Sequence, residues 1–144
     1  MKKLESEIII LAEPDQVWSV LTKFNDYPKW NPFIEQIEGA LKSGGRLKVR
    51  IHPPSGSPMT FKPRVLNVVP ARELRWLGHL LIPGLFDGEH IFQIERVGEK
   101  RTLFRQNETF RGLLVGLFPA ALYDKTLAGF QNMNRALKAI SEVL

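Results

Sequence analysis

The sequence predicts an α+β fold, one antiparallel sheet with its helices on one face. Three observations predict it. Between Ile34 and Phe110 the apolar period is close to two, and turn-forming residues recur between short runs. After Gly112 the period becomes helical: Leu122, Phe130, Met133, Leu137, Ile140 and Leu144 fall three, four or eight residues apart, with Asp124, Lys125, Arg135 and Lys138 on the opposite side. At the start, a β-rich segment runs directly into a proline-initiated helix. No repeat, low-complexity tract or linker interrupts this order, so residues 1–144 are expected to form a single domain.

Each element follows from local chemistry. Leu4 to Ala12 reads as the first strand. Glu13-Pro14-Asp15 then places proline and acidic groups at a helix start, where the dipole favours negative charge. Val17, Trp18, Leu21 and Phe24 give that helix one apolar face to about Lys23, and Asn25-Asp26-Tyr27-Pro28 ends it. Tyr27 to Phe33, with two prolines, suits a short helical turn held down by Trp30 and Phe33. Strands are then expected at Ile34–Leu41, Leu47–Ile51, Met59–Val69, Glu73–Ile82, Glu89–Val97 and Arg101–Phe110. Loops are expected at His52–Pro58 and Pro83–Gly88. Pro119 starts or bends the long C-terminal helix. Gly129 within it costs about 1 kcal/mol against alanine, so something must lie close against it, a packing partner or a ligand.

Composition excludes several classes. The net charge is +5, but the basic residues are scattered and no block of like charge forms, so nucleic acid is not an expected partner. There is no cysteine, hence no disulfide, no thiolate nucleophile and no cysteine zinc site. His52, His79 and His90 lie on different segments without metal-ligand spacing, and no metal or cofactor is expected. Gly-x-Ser-x-Gly, phosphate-loop and His-Glu-x-x-His signatures are all missing. Ile8–Ala12 is shorter than the apolar core of a signal peptide, about 7–15 residues. No apolar run reaches the ~18 residues of a membrane span. A cytoplasmic protein with no stable membrane insertion is the expectation.

Several stretches are similar to a known family. They are Ala12-Glu13-Pro14-Asp15-Gln16-Val17-Trp18, Phe24-Asn25-Asp26-Tyr27-Pro28-Lys29-Trp30-Asn31-Pro32-Phe33, Pro70-Ala71-Arg72-Glu73-Leu74-Arg75-Trp76, Phe86-Asp87-Gly88-Glu89-His90-Ile91-Phe92 and Gln106-Asn107-Glu108-Thr109-Phe110. With Phe130, Met133, Asn134 and Leu137 on the last helix, the chain resembles the START-like, or birch-pollen-allergen-like (SRPBCC), superfamily throughout its length. Within it, the resemblance is to the polyketide cyclase/dehydrase and lipid-transport group. That implies a helix-grip fold: a curved antiparallel β-sheet wrapped around a long C-terminal α-helix, with two short helices after the first strand. It also implies an internal cavity between sheet and helix. The superfamily spans sterol and lipid carriers, aromatase/cyclases, hydrolases and co-chaperones, so fold alone does not decide function.

The last hairpin supplies the candidate site. With Gly98-Glu99-Lys100 as its loop, Val97 faces Arg101, His90 lies opposite Glu108, Phe92 opposite Gln106, Ile94 opposite Phe104 and Arg96 opposite Thr102. One face then carries Phe92, Ile94, Phe104 and Phe110 with His90, Gln106 and Glu108 among them. Three roles are open for the polar members. His90 and Glu108 can act as an acid/base pair, orient a ligand hydroxyl or carbonyl, or simply satisfy each other, with Arg75 or Arg64 as alternative partners of Glu108. Trp76 and Gly78 share a face of the neighbouring strand, either an aromatic wall with room for a ligand beside it or, favoured for Trp76 alone, core packing. Phe130 and Met133 complete the expected ligand-binding set from the helix.

Leu80–Phe86 and Leu113–Phe118 are apolar segments outside regular structure. Leu81, Pro83, Leu85, Phe86, Leu117 and Phe118 are expected at the cavity entrance, with a dimer contact, a lipid-touching tip and burial as the other possibilities. The expected function is binding or carrying a small hydrophobic or aromatic molecule, as a monomer or homodimer. A cyclase or dehydratase using His90 and Glu108 is the second reading, and a protein-interaction module the third.

Overall fold

The computed structural model describes residues 1–144. In chain order the elements are β1 (Lys2–Ile10), α1 (Pro14–Thr22), a 3-10 turn (Phe24–Asp26), α2 (Tyr27–Trp30), β2 (Ile34–Gly39), β3 (Leu47–Ile51), β4 (Met59–Phe61), β5 (Arg64–Val69), β6 (Glu73–Leu80), β7 (Phe86–Gly98), β8 (Arg101–Arg111), a second 3-10 turn (Val115–Leu117) and α3 (Ala120–Glu142). The strands form a five-stranded sheet, β1-β8-β7-β6-β5, and a three-stranded one, β2-β3-β4. The two are laced where Arg46 bridges Arg64, Leu47 N donates to Pro63 O at 2.9 Å and Val65 N donates to Gly45 O at 2.7 Å.

The long helix α3 turns Tyr123, Thr126, Gly129, Phe130, Met133, Asn134, Leu137 and Ser141 inward and leaves Asp124, Lys125 and Arg135 exposed. Curved antiparallel sheet, two short helices and a gripped C-terminal helix together make the helix-grip fold. Leu144 does not join the apolar face, because the helix ends at Glu142 and Leu144 lies in the open. No helix is long and apolar enough to cross a membrane.

The pairings of the β7–β8 hairpin fall as the loop position predicts: His90 with Glu108, Phe92 with Gln106, Ile94 with Phe104 and Arg96 with Thr102. A bulge beside the turn sets Gly98, not Val97, opposite Arg101. Several strand bounds differ from expectation. β1 runs from Lys2 to Ile10 rather than Leu4 to Ala12, and β2 stops at Gly39, before Leu41. Met59–Val69 is cut at Lys62-Pro63 into β4 and β5, since proline has no N–H for the ladder. β6 stops at Leu80, before Ile82. β7 begins at Phe86, where pairing of Phe86, Asp87 and Gly88 with Leu80, His79 and Gly78 overrides the local turn signals. The 2.7 Å contact between His79 Nδ1 and Asp87 Oδ1 fastens this start, and it holds the Asp87 carboxyl below the usual carboxylate range.

The close partner at Gly129 is Phe33. A Cβ on residue 129 would strike that ring, which also packs edge-on against Phe130 with centroids 5.6 Å apart. Nearby, Tyr27 is fully buried between Phe24 and Trp30, and its hydroxyl donates to Leu21 O at 2.5 Å.

Burial raises the Tyr27 phenol far above its ordinary value of 10.0. The native state therefore favours the neutral phenol. That contribution is complete below the unfolded value near pH 10 and is lost as pH rises above it, by up to about 1.4 kcal/mol per pH unit. Urea midpoints at pH 8 and pH 11 are expected to fall further apart in the native protein than in Tyr27→Phe. Equal falls would contradict this.

Candidate functional site

The inner faces of β6, β7 and β8 meet α3 in an aromatic stack around His90. The imidazole lies nearly parallel to the Trp76 ring, 5.2 Å between centroids and 19° between planes. Phe130 closes on it edge-on at 4.9 Å, and Phe92 lies 4.7 Å away. Phe92, Phe104, Phe130 and Met133 are fully buried.

Through this apolar block runs one chain of polar side chains. His90 Nε2 meets Gln106 Oε1 at 3.0 Å, Gln106 Nε2 donates to Asn134 Oδ1 at 2.8 Å, and Asn134 Nδ2 donates to Ser6 Oγ at 2.9 Å. The Ser6 hydroxyl then donates to Gln106 O at 2.6 Å. At the other end His90 Nδ1 lies 3.2 Å from Glu108 Oε1.

Two backbone carbonyls set the direction of this chain. Gln106 Nε2 also faces Phe130 O at 3.4 Å, and the Ser6 hydroxyl is committed to Gln106 O, and a carbonyl only accepts. Gln106 therefore turns its own carbonyl to His90, and Nε2 carries a hydrogen. One more hydrogen must lie between Nδ1 and Glu108 Oε1, on either partner. Both ring nitrogens are thus occupied and both ring faces covered, so His90 holds Glu108 in place. Glu108 Oε1 is engaged, while Oε2 makes no protein hydrogen bond and the side chain keeps 14% exposure. A Cβ on Gly88 would collide with Oε2, so the absence of a side chain there makes the carboxylate's seat.

The structure thus brings together Trp76, His90, Phe92, Phe104, Gln106, Glu108, Phe110, Phe130 and Met133 between sheet and helix. Gly78 stands apart. Phe61 and Pro63 cover it, the nearest ring atom 3.3 Å from where a Cβ would be, so the room beside Trp76 is filled by protein. Arg75 is not a partner of Glu108, for it pairs with Glu73 and Glu89 on the other face. Sequence reasoning missed Ser6, Gly88 and Asn134 as site residues. Two carried a signal, a serine in register between Leu4 and Ile8 and an asparagine inside the apolar stripe of α3, whereas Gly88 read only as part of a loop.

At one end the block is closed by packed rings. Phe86 packs on Phe110 at 5.2 Å and on Phe118 at 4.6 Å, and Phe110 on Tyr123 at 5.4 Å. The two apolar segments meet here: Leu113 N donates to Gly84 O at 3.1 Å and Leu114 N to Leu85 O at 2.9 Å. Phe86 and Phe118 turn inward, Leu85 is half-buried, and Leu81, Pro83 and Leu117 point outward.

Between sheet and helix, Trp76, Phe92, Phe104, Phe130 and Met133 are buried against one another. Two open clefts lie elsewhere. One, of about 680 Å³, is lined by Pro14, Arg72, Glu73, Gln93, Arg96 and Arg105. The other, of about 340 Å³, is lined by Phe24, Pro28, Gln36, Lys48 and Arg50 among others. Neither includes Trp76, His90 or Glu108.

A curved antiparallel sheet gripping a long C-terminal helix is the START-like architecture. The chain belongs to the polyketide cyclase / dehydrase and lipid transport family, whose model matches residues 1–142. Among solved structures it resembles a START superfamily protein from Mycobacterium smegmatis, with 21% identity, TM-score 0.74, 98% of this chain and 97% of that one covered. It also resembles the Zhui aromatase/cyclase from Streptomyces sp. R1128, with 17% identity, TM-score 0.74, 98% and 93% covered. The allergen Ara h 8.0201 is similar at 15% identity and TM-score 0.73, with 99% of each chain covered. Against the di-domain aromatase/cyclase BexL, the chain spans 46% of the other's length, at 19% identity and TM-score 0.73 over 99% of this chain. At these identities the likeness is one of fold. The sequence has no match among curated proteins.

Proposed function

We propose that residues 1–144 act as one domain that binds or carries a small hydrophobic or aromatic molecule between the sheet and α3. The ligand enters past Phe86, Phe110 and Phe118, displaces part of the aromatic block, and offers a hydroxyl or carbonyl to Glu108. The observation that carries this reading is the polar chain from Ser6 to Glu108, which is internally satisfied and leaves one carboxylate oxygen over. A few convergent polar groups on an apolar wall are what small-molecule sites use to fix orientation.

The second reading is a cyclase or dehydratase. The contact between His90 and Glu108 favours it, but with Glu108 as the group that exchanges a proton and His90 as a positioning residue. Binding is preferred because His90 has no free nitrogen to give a substrate.

The test compares naphthalene with 2-naphthol, which differ by one hydroxyl. A hydrogen bond contributes about 0.5–1.5 kcal/mol, and about 1.5–3 where one partner is charged, so 2-naphthol is expected to bind the native protein severalfold or more tightly than naphthalene. In Glu108→Gln, with fold retained, that preference is expected to shrink severalfold. An unchanged preference would remove Glu108 from ligand recognition.

A further inference from the structure

We infer that the paired loops at the closed end form a docking tip for an anionic lipid bilayer surface. Leu81, Ile82, Leu113 and Leu117 are 73%, 62%, 82% and 78% exposed, and all four stand on two loops joined by hydrogen bonds. Clustering of this kind marks an interaction surface, where single exposed apolar residues do not. Leu81 also has φ of +70°, a left-handed backbone that leucine rarely adopts, so holding it outward carries strain.

Part of the tip's backbone is satisfied from within. Gly84 O and Leu85 O accept from Leu113 N and Leu114 N, Gly84 N donates to Asp87, and Leu117 N donates to Leu114 O. Those paired groups need no new partner when the tip enters the bilayer interface.

Charge selects the partner. At this end Lys2, Lys3 and Lys125 are exposed and take part in no ion pair, and Lys2 Nζ lies 5.5 Å over the Tyr123 ring. Of the acids nearby, Asp87 is bound to His79, Glu89 to Arg75 and Arg111, and Glu108 to His90, which leaves Glu5 and Asp124 against the three lysines. An apolar tip with a basic rim complements anionic headgroups. A second copy docked tip to tip would instead bring two basic rims together.

The inference stands apart from ligand binding, since vesicle docking without naphthol binding leaves it intact. The experiment floats the full chain with phosphatidylcholine vesicles containing 30% phosphatidylglycerol, and with pure phosphatidylcholine, at low and high salt. Binding to the anionic vesicles is expected to be about tenfold or more stronger and to weaken with salt. Leu81→Ser/Ile82→Ser and Leu113→Ser/Leu117→Ser are each expected to lower it about tenfold, with circular dichroism unchanged. Lys2→Glu/Lys125→Glu is expected to lower it severalfold and flatten the salt dependence. No flotation with anionic vesicles would overturn the inference. So would flotation indifferent to the four loop residues, or a concentration-dependent dimer that the loop variants dissolve.

Discussion

Phe130→Ala is expected to lower the unfolding free energy by about 3–5 kcal/mol, the range for truncating a fully buried phenylalanine. Phe130 is wholly enclosed and touches both the Phe33 ring, at 5.6 Å, and the His90 ring, at 4.9 Å. Little of the resulting void closes by relaxation, because Phe33 already fills the space over Gly129 and His90 is tethered at both nitrogens. Urea unfolding measures the loss, and less than about 1 kcal/mol would show that this end of the interior is loosely packed. The variant has a further use. Where ligand normally displaces the aromatic block, a small aromatic such as indole is expected to bind Phe130→Ala and restore part of its stability by mass action.

Gln106→Leu is expected to cost about 2–5 kcal/mol for a different reason. The side chain is fully buried and joins His90 to Asn134. Its loss strands the hydrogen on His90 Nε2 and the Asn134 carbonyl in an apolar surrounding, and each orphaned group costs about 1–3 kcal/mol. If the chain from Glu108 to Ser6 works as one unit, a second substitution in it costs less than it does alone. Gln106→Leu combined with Asn134→Leu is therefore expected to lose less than the sum of the two single variants. Simple additivity in chemical denaturation would show that the members contribute independently.

Much of this arrangement was legible from spacing. The turn at Glu99-Lys100 with its bulge beside Gly98 gives the register that a three-residue loop at Gly98–Lys100 predicts, and alternation fixes that His90, Gln106 and Glu108 share the side of Phe92 and Phe104. The periodicity after Gly112 likewise placed Phe130, Met133 and Leu137 inside. What spacing does not carry is how far helix and sheet approach and how the helix is rotated. Those quantities decide that Asn134 meets Gln106, that Phe33 rather than a ligand lies against Gly129, and that Phe61 occupies the room above Gly78. Local signals also misled where distant pairing was stronger. Pro83, Gly84 and Gly88 read as one loop, yet β6 draws Phe86 to Gly88 into the ladder. At Pro63 the alternation on both sides masked a break that the missing N–H alone required.

The most direct test of a ligand held beneath the ring-closed end is a map of where a probe binds. With 15N-labelled protein titrated by 2-naphthol, the largest amide shifts are expected at Gly88, His90, Gln106, Glu108, Phe110 and Phe130, with Phe118 following as the rings at the mouth part. Shifts confined to the outer cleft of Arg72, Glu73, Gln93 and Arg96, or no shifts at saturating probe, would contradict it.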